Sequence, residues 1–284
     1  MTGEDPEEQR ERLLDRWDEA AKGWGRQADR TQSVARPISE WMIGRAELAP
    51  GQRVLELAAG PGDTGFMAAR LIKPGGTLIC SDASAEMLDV ARERAAEQGI
   101  NNVEFKQLQL EWIDLPTADV DVVLCRWGVM LTVDPAASLR ECRRVLKPGG
   151  RLALAVWDLP ETNPWATLTQ PALVELGHAE PSAAGGPGMF ALSAPGMLAE
   201  MLADAGFFDI EVEPVPIVRS YEGVLDFLGE TRDLSRQFAG VWGQLSDQAR
   251  QQLRDRVAVA AAAFADEDGR LELPGSSLAA VASA

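Results

Sequence analysis

Residues 53–65 read RVLELAAGPGDTG. Arg53–Ala59 is a short apolar run of the length expected for a buried strand, and it ends in glycines. Gly60, Gly62 and Gly65 stand in the spacing G-x-G-x-x-G. Glycines there let the backbone approach a nucleotide-like ligand with no Cβ in the way. The helix expected over Asp63–Ile72 then aims its positive N-terminal end at that ligand. The same spacing serves NAD, so taken alone it names no reaction.

Working outward, Lys73-Pro74-Gly75-Gly76 ends that helix and Thr77–Ser81 (TLICS) is a second strand. Asp82 lies just past it, twenty residues after Gly62. A carboxylate there can accept both hydroxyl protons of a ribose. Ser84–Gln98 is a helix stopped by Gly99, and Val103–Leu108 and Val120–Arg126 are strands three and four. Asp134-Pro135 starts a helix that runs to Leu146, and Arg151–Trp157 is strand five. Strand–helix alternation with near-continuous apolar strands predicts an α/β fold: a doubly wound, mostly parallel sheet covered on both faces. Asp209–Ile217 and Leu278–Ala284 bring the sheet to seven strands, closed by an antiparallel hairpin. Pro214 and Pro216 put the sixth strand at an edge.

The flanks are less regular. Residues 1–9 read as disordered. Residues 10–30 read as an amphipathic helix with Leu13, Leu14, Trp17, Ala20, Ala21 and Trp24 on one face, and Pro37–Leu48 as a second helix. Residues 158–194 are an insertion rich in Pro, Gly, Ala and Ser, Ser193–Ala205 is a helix ended by Gly206, and 221–266 are helical throughout. The expected organisation is N-terminal helices over 1–50, a ligand-binding domain over 51–220 with the 158–194 insertion, a helical insertion over 221–268, and a returning strand over 269–284. The three irregular segments are expected to cap the strand tips, where open α/β sheets bind ligands.

Composition narrows the partners. With 46% hydrophobic and 25% charged residues, the chain of 284 can bury a core. Its net charge of −17 disfavours phosphate backbones and anionic lipid, so neither nucleic acid nor a membrane is expected as partner. No apolar run reaches the ~18 residues that span a bilayer. The start of the chain is polar and acidic, unlike a signal peptide. Cys80, Cys125 and Cys142 form no CxxC pair, which suggests neither zinc nor a disulfide framework. A cytoplasmic protein is expected; oligomeric state is not legible.

Glu56 sits inside the first strand, where an acid suits a positively charged ligand. The segment EWIDLP (111–116) follows strand three, where an adenine would lie. Here the sequence resembles a family. VLELAAGPGDTG (54–65), SDASAEML (81–88), LEWIDLP (110–116), VDVVLCRWGVML (120–131) and LRECRRVLKPGGRLALAVW (139–157) together look like the class I S-adenosylmethionine (SAM)-dependent methyltransferases, nearest in type to the quinone-biosynthesis C-methyltransferases. The resemblance implies SAM as cofactor and a small, partly apolar molecule as methyl acceptor. It implies that Glu56, Ala58 and Gly60 line the methionine moiety, mostly through backbone. Asp82 would bind the ribose, with Ala83 and Met87 beside the adenosine. Leu110 and Glu111 would sit at the adenine edge, and Cys125 and Arg126 at the tip of strand four below the sulfonium. Two positions depart from the family: Ala58 replaces a frequent glycine, and Gln109 replaces a frequent adenine-binding aspartate. The Gln109 amide or Glu111 could substitute for that aspartate.

No catalytic residue is assigned. His178, the only histidine, lies in an irregular stretch, where a structural or exposed role comes before that of a base. Trp17 and Trp24 read equally well as core packing or as cofactor cover. Among Trp127, Trp157 and Trp165, at least one is expected near substrate, and Gly185–Phe190 could form a lid. One rival is an NAD(P)-dependent oxidoreductase, but Tyr221, the only tyrosine, is followed four residues on by Leu225 and not by lysine. The other rival is a non-catalytic SAM-binding module.

Overall fold

Side-chain caps set several helix starts. In the computed structural model, which describes residues 5–180 and 188–284, Asp5 accepts the Glu7 N–H to start α1 (Pro6–Arg26). Helix α2 (Ala28–Arg45) follows after Gln27 alone. Then come β1 (Arg53–Glu56), α3 (Asp63–Leu71), β2 (Thr77–Asp82), α4 (Ala85–Glu97), β3 (Val103–Gln107) and β4 (Val120–Arg126). Ser84 caps α4 by accepting the Met87 N–H. Asp134 caps α5 (Pro135–Val145), which runs directly into β5 (Leu146–Trp157). Short α6 (Pro164–Thr167) and α7 (Thr169–Glu175) precede α8 (Met197–Asp204) and β6 (Phe208–Tyr221). Helices α9 (Val224–Leu234), α10 (Arg236–Gln244) and α11 (Asp247–Ala261) separate β6 from β7 (Leu271–Ser283).

The seven strands run in the order β3-β2-β1-β4-β5-β7-β6. The first five pair in parallel, while β7 is antiparallel to both β5 and β6. The doubly wound sheet is thus present, with β6 at the edge where Pro214 and Pro216 need no inner partner for a missing N–H. A core of fully buried side chains, among them Val54, Leu55, Ile79, Val123, Leu124 and Leu154, fills the sheet.

The hairpin explains how the helices reach the ligand end. Strand β7 pairs with β5 only as far as Ser277, opposite Trp157. It continues against β6 to the Tyr221–Leu271 pair. Residues 271–276 therefore overshoot the parallel sheet by about 20 Å at ~3.3 Å per residue. The overshoot is on the carboxyl side of the strands, and it carries α9–α11 there. These helices bury a second apolar cluster with α7, including Phe227, Phe238, Leu253 and Leu273.

Several boundaries differ from expectation: β1 ends at Glu56, β5 starts at Leu146, β6 runs to Tyr221, and four more concern helices and β7. Helix α1 begins at Pro6, inside the stretch read as disordered, because Asp5, Pro6, Glu7 and Glu8 form a cap and an acidic first turn. Helix α2 begins at Ala28 and not at Pro37, so Pro37 lies inside it. An interior proline costs about 3 kcal/mol. Full burial of Ile38 and Met42 returns about 1.5–3 kcal/mol each and outweighs it. Strand β7 starts seven residues before Leu278, because Pro274 lies on the overshoot, flanked there by β6 alone. Helix α8 starts at Met197, not Ser193. Of the Gly185–Phe190 stretch, residues 185–187 lie outside the described residues, while Met189 and Phe190 pack on the main core.

Gly23 marks the closest approach of α1 to α9: a Cβ there would collide with the Asp233 carbonyl. Arg26 and Gln27 bond the Asp233 carboxylate beside it, at 2.6 and 2.8 Å. Alanine for glycine in a helix gains about 1 kcal/mol by propensity, but overpacking costs about 1–3 kcal/mol. Gly23→Ala is therefore expected to lower stability in urea unfolding, and an unchanged or raised midpoint would contradict this helix contact.

Candidate ligand-binding site

The bend after β1 is built from left-handed backbone. Ala58, Gly60 and Gly62 have φ of 49°, 51° and 88°. For alanine that conformation costs about 1–2 kcal/mol, so the site shows why glycine is favoured at position 58. The three glycines of the motif divide their work. A Cβ on Gly60 would meet nothing within 4 Å, and Gly60 lines a cavity. A Cβ on Gly62 would strike the Phe66 ring, and one on Gly65 the Glu56 carboxylate. Gly60 thus faces a ligand, while Gly62 and Gly65 make room for the protein's own side chains.

Glu56 braces this bend from below. Its Oε1 accepts the Gly65 N–H at 2.8 Å, near the start of α3. Oε2 is buried with no partner among the described residues. Burial pushes the carboxyl up to about 8, against the pull of the Gly65 N–H and Arg126. The side chain is 3% exposed and does not line the cavity. Cys125 is also fully buried behind the wall: a Cβ on Gly128 would lie 2.8 Å from its Sγ.

The cavity encloses about 1000 Å³ of empty space, part of it open to solvent. Of the residues singled out in the sequence, Ala58, Gly60, Asp82, Ala83 and Met87 line it. So do Gln109, Leu110, Glu111 and Arg126. Asp82 joins the two strand tips: Oδ2 accepts the Gly60 N–H at 2.8 Å and Oδ1 the Ser84 N–H at 3.0 Å. Burial raises its carboxyl above the ordinary range, against those backbone donors. Glu111 is engaged as well: Oε1 accepts from Arg10 Nη2 at 2.9 Å and from the Asp134 N–H at 2.9 Å.

Helix α1 supplies the opposite wall with Arg10, Leu13, Leu14, Trp17 and Trp24. The sequence displayed this apolar stripe but not what it faces. Arg10, Leu131 and Thr132 also line the cavity and carried no sequence signal of their own.

Arg126 ends β4 and is held on two sides. Nη2 is 3.5 Å from Asp63 Oδ2, and Asp63 Oδ1 is bonded by Arg94 Nη2 at 2.8 Å. The guanidinium carbon stands 4.7 Å from the centroid of Trp127. Trp127 has φ of 63°, an uncommon conformation for so large a residue. Its indole N–H bonds Ser277 at 2.9 Å, and its ring stacks on Trp157 at 4.1 Å. Trp157 meets Trp165 edge-on at 4.7 Å, and Arg219 lies 4.3 Å over Trp165. Of these three tryptophans, only Trp127 lines the cavity.

His178 and Tyr221 do not line it. Tyr221 is buried, donates to Glu230 and accepts from Arg219 at 3.0 Å. Among the described residues no group of His, Cys, Asp and Glu could hold a metal ion, and no helix is long and apolar enough to cross a membrane.

Residues 48–180 match a family model described as a methyltransferase domain. The ubiquinone/menaquinone biosynthesis C-methyltransferase UbiE of Cellvibrio japonicus is 32% identical over 131 residues, which is 46% of this chain and 53% of that protein. The match thus spans about half the length of that curated relative. Among solved structures, a putative methyltransferase from Bacillus halodurans aligns with a TM-score of 0.58 at 21% identity, over 86% of this chain and 97% of its own. The [4+2]-cyclase SpnF aligns with a TM-score of 0.55 at 17% identity, over 92% and 94%. At such identities these structures speak for the fold alone, and the cyclase warns against reading a reaction from it. The sequence match and the five ordered motifs carry the likeness: residues 48–180 are similar to methyltransferase domains, and their motifs resemble the class I SAM-dependent type.

Proposed function

We propose that this chain is a SAM-dependent methyltransferase that acts on a small, partly apolar molecule in the cytoplasm. The observation that carries this reading is the Asp82 carboxylate, tied to Gly60 at the floor of an otherwise largely apolar cavity. Each Asp82 oxygen takes one backbone N–H and keeps a second acceptor site for a ribose hydroxyl. Gly60 leaves open space where a side chain would intrude. Met87 and Leu110 offer an apolar wall for a purine, and Gln109 a polar group at its edge. These features fit an adenosyl ligand.

When bound, SAM supplies a methyl group already activated by a sulfonium, ready for in-line displacement. What remains for the protein is alignment and the exclusion of water. Glu56 holds the bend in place through Gly65 rather than meeting a ligand's charge. Leu13, Leu14 and Trp17 lay apolar surface over the cavity and keep it dry. Helix α1 acts as the cap over the cavity, while the hairpin overshoot carries α9–α11 to the same end of the sheet without lining it. The oxidoreductase alternative lacks support: Tyr221 is committed to Arg219 and Glu230 away from the cavity.

The decisive experiment is incubation with labelled SAM and cell extract, followed by a search for methylated small molecules. Label transfer to a small molecule is expected. Binding of S-adenosylhomocysteine without any transfer would mean a binding module, and binding of NAD alone would sink the proposal. Asp82→Asn replaces an acceptor oxygen by a donor and removes the charge. It should weaken S-adenosylhomocysteine about 10- to 100-fold by calorimetry, as expected for ~1.5–3 kcal/mol at a charged hydrogen bond.

Glu56 predicts a pH dependence. Its folded carboxyl lies near 8 and its unfolded one near the ordinary 4.5. Between those values the folded state keeps a proton that the unfolded state releases, so this group's contribution is complete below about 4.5 and lost through about 8. In urea unfolding, the wild type should lose stability relative to Glu56→Gln between pH 5 and 9. A constant difference across that range would show that Glu56 is ionised throughout.

A further inference from the structure

Among the residues that line the cavity, two carry a buried polar atom with no partner among the described residues: Trp24 Nε1 and Arg126 Nη1. Both are donors. The carboxylates on the same wall, Asp82 and Glu111, already accept hydrogen bonds. What the wall lacks is an acceptor.

Charge points the same way. Arg126 and Arg94, 9% and 12% exposed, share the buried carboxylate of Asp63. The other partner of Arg94, Asp29, is 95% exposed and screened by water. Glu56 lies beneath and is held largely protonated at neutral pH by burial. Two guanidiniums thus face one buried carboxylate. Arg126 cannot turn away to solvent, since Trp127 covers its face. Trp127 in turn is fixed by Ser277 and Trp157. A guanidinium confined with a free N–H is matched by a planar anion that accepts from it.

We propose that Arg126 and Trp24 receive a carboxylate in this cavity, borne either by the amino-acid end of the adenosyl ligand or by the methyl acceptor. The first source rests on the adenosyl reading of the cavity; the second does not. Asp63 Oδ2 stands 3.5 Å from Nη2 in an ion pair without a hydrogen bond, and Nη1 has no partner among the described residues, which leaves it for the incoming anion. Trp24 adds a neutral N–H from α1, so binding also fixes α1 over the cavity.

The test uses the full chain and two nucleosides, S-adenosylhomocysteine and 5′-methylthioadenosine, which lacks the amino-acid end. If the cofactor supplies the carboxylate, Arg126→Gln should weaken S-adenosylhomocysteine at least about tenfold, as for loss of a charge-assisted bond. It should leave methylthioadenosine within about twofold. Trp24→Phe keeps the ring and should weaken S-adenosylhomocysteine selectively by about threefold, as for a neutral bond. If the acceptor supplies it, Arg126→Gln leaves that preference intact. In S-adenosylhomocysteine-saturated protein it then abolishes the greater thermal stabilisation by benzoate over benzamide. Equal losses for both nucleosides would mean a structural role and overturn the proposal, as would no change in either arm. Wild-type protein that binds neither nucleoside, yet prefers benzoate through Arg126, keeps the carboxylate site and removes the adenosyl reading. Protein that binds none of these probes removes both.

Discussion

The bond from the Gly60 N–H to Asp82 Oδ2 is the contact on which the site depends. It joins the loop beyond β1 to the end of β2, so it exists only if those strands pair in parallel with Glu56 opposite Cys80. A slip of one residue would turn Asp82 to the other face of the sheet. The register is secured far from the ligand, by Val54, Leu55, Leu78 and Ile79, all fully buried. Core packing therefore fixes a hydrogen bond that packing itself does not need. Glu56 works on the same loop from beneath: its carboxyl fills the room that Gly65 leaves and holds that residue's N–H.

The molecule has two apolar cores, and their meeting line runs through aromatic side chains. Trp165 packs against both clusters. On one side it touches Trp157, which stacks on the cavity residue Trp127. On the other it lies under Arg219, which is bonded to Tyr221 and Glu230 at the foot of α9. Asn163 fixes the crossing: its amide donates to the Ser276 carbonyl and its oxygen accepts from the Ser276 and Trp165 N–H groups. The cavity wall and the helical segment are thus parts of one packed column, which runs along the overshoot of the β6–β7 hairpin.

The sheet was legible because its signals are local. Apolar runs, glycine stops, and the Asp134-Pro135 start each act within a few residues. The glycine bend and the carboxylate beside it were legible for the same reason: Gly60 and Asp82 are adjacent across neighbouring strands. What stayed hidden depends on distant chain. Leu13 and Leu14 showed a stripe, but only the fold sets it opposite Leu110, about a hundred positions away in sequence. Glu56 was placed on the right strand, but nothing in the sequence says that the Gly65 N–H takes one of its oxygens. The length of β7 was masked by Pro274, whose tolerance depends on β5 having already ended.

Stability alone does not account for Arg126. Its desolvation lowers the guanidinium's proton affinity, and its single buried counter-ion, 3.5 Å away, is shared with Arg94. A buried ion pair of that geometry is weak evidence of stabilisation, and an apolar side chain of similar volume is commonly neutral or better. The surroundings nevertheless hold it firmly: Trp127 adopts a left-handed backbone of the kind that costs about 1–3 kcal/mol and lays its ring against the guanidinium. On a chain with 44 acidic and 27 basic residues, long-range attraction for an anion is absent. An anion that enters here must be drawn by this cation at short range, where burial of the guanidinium strengthens the attraction.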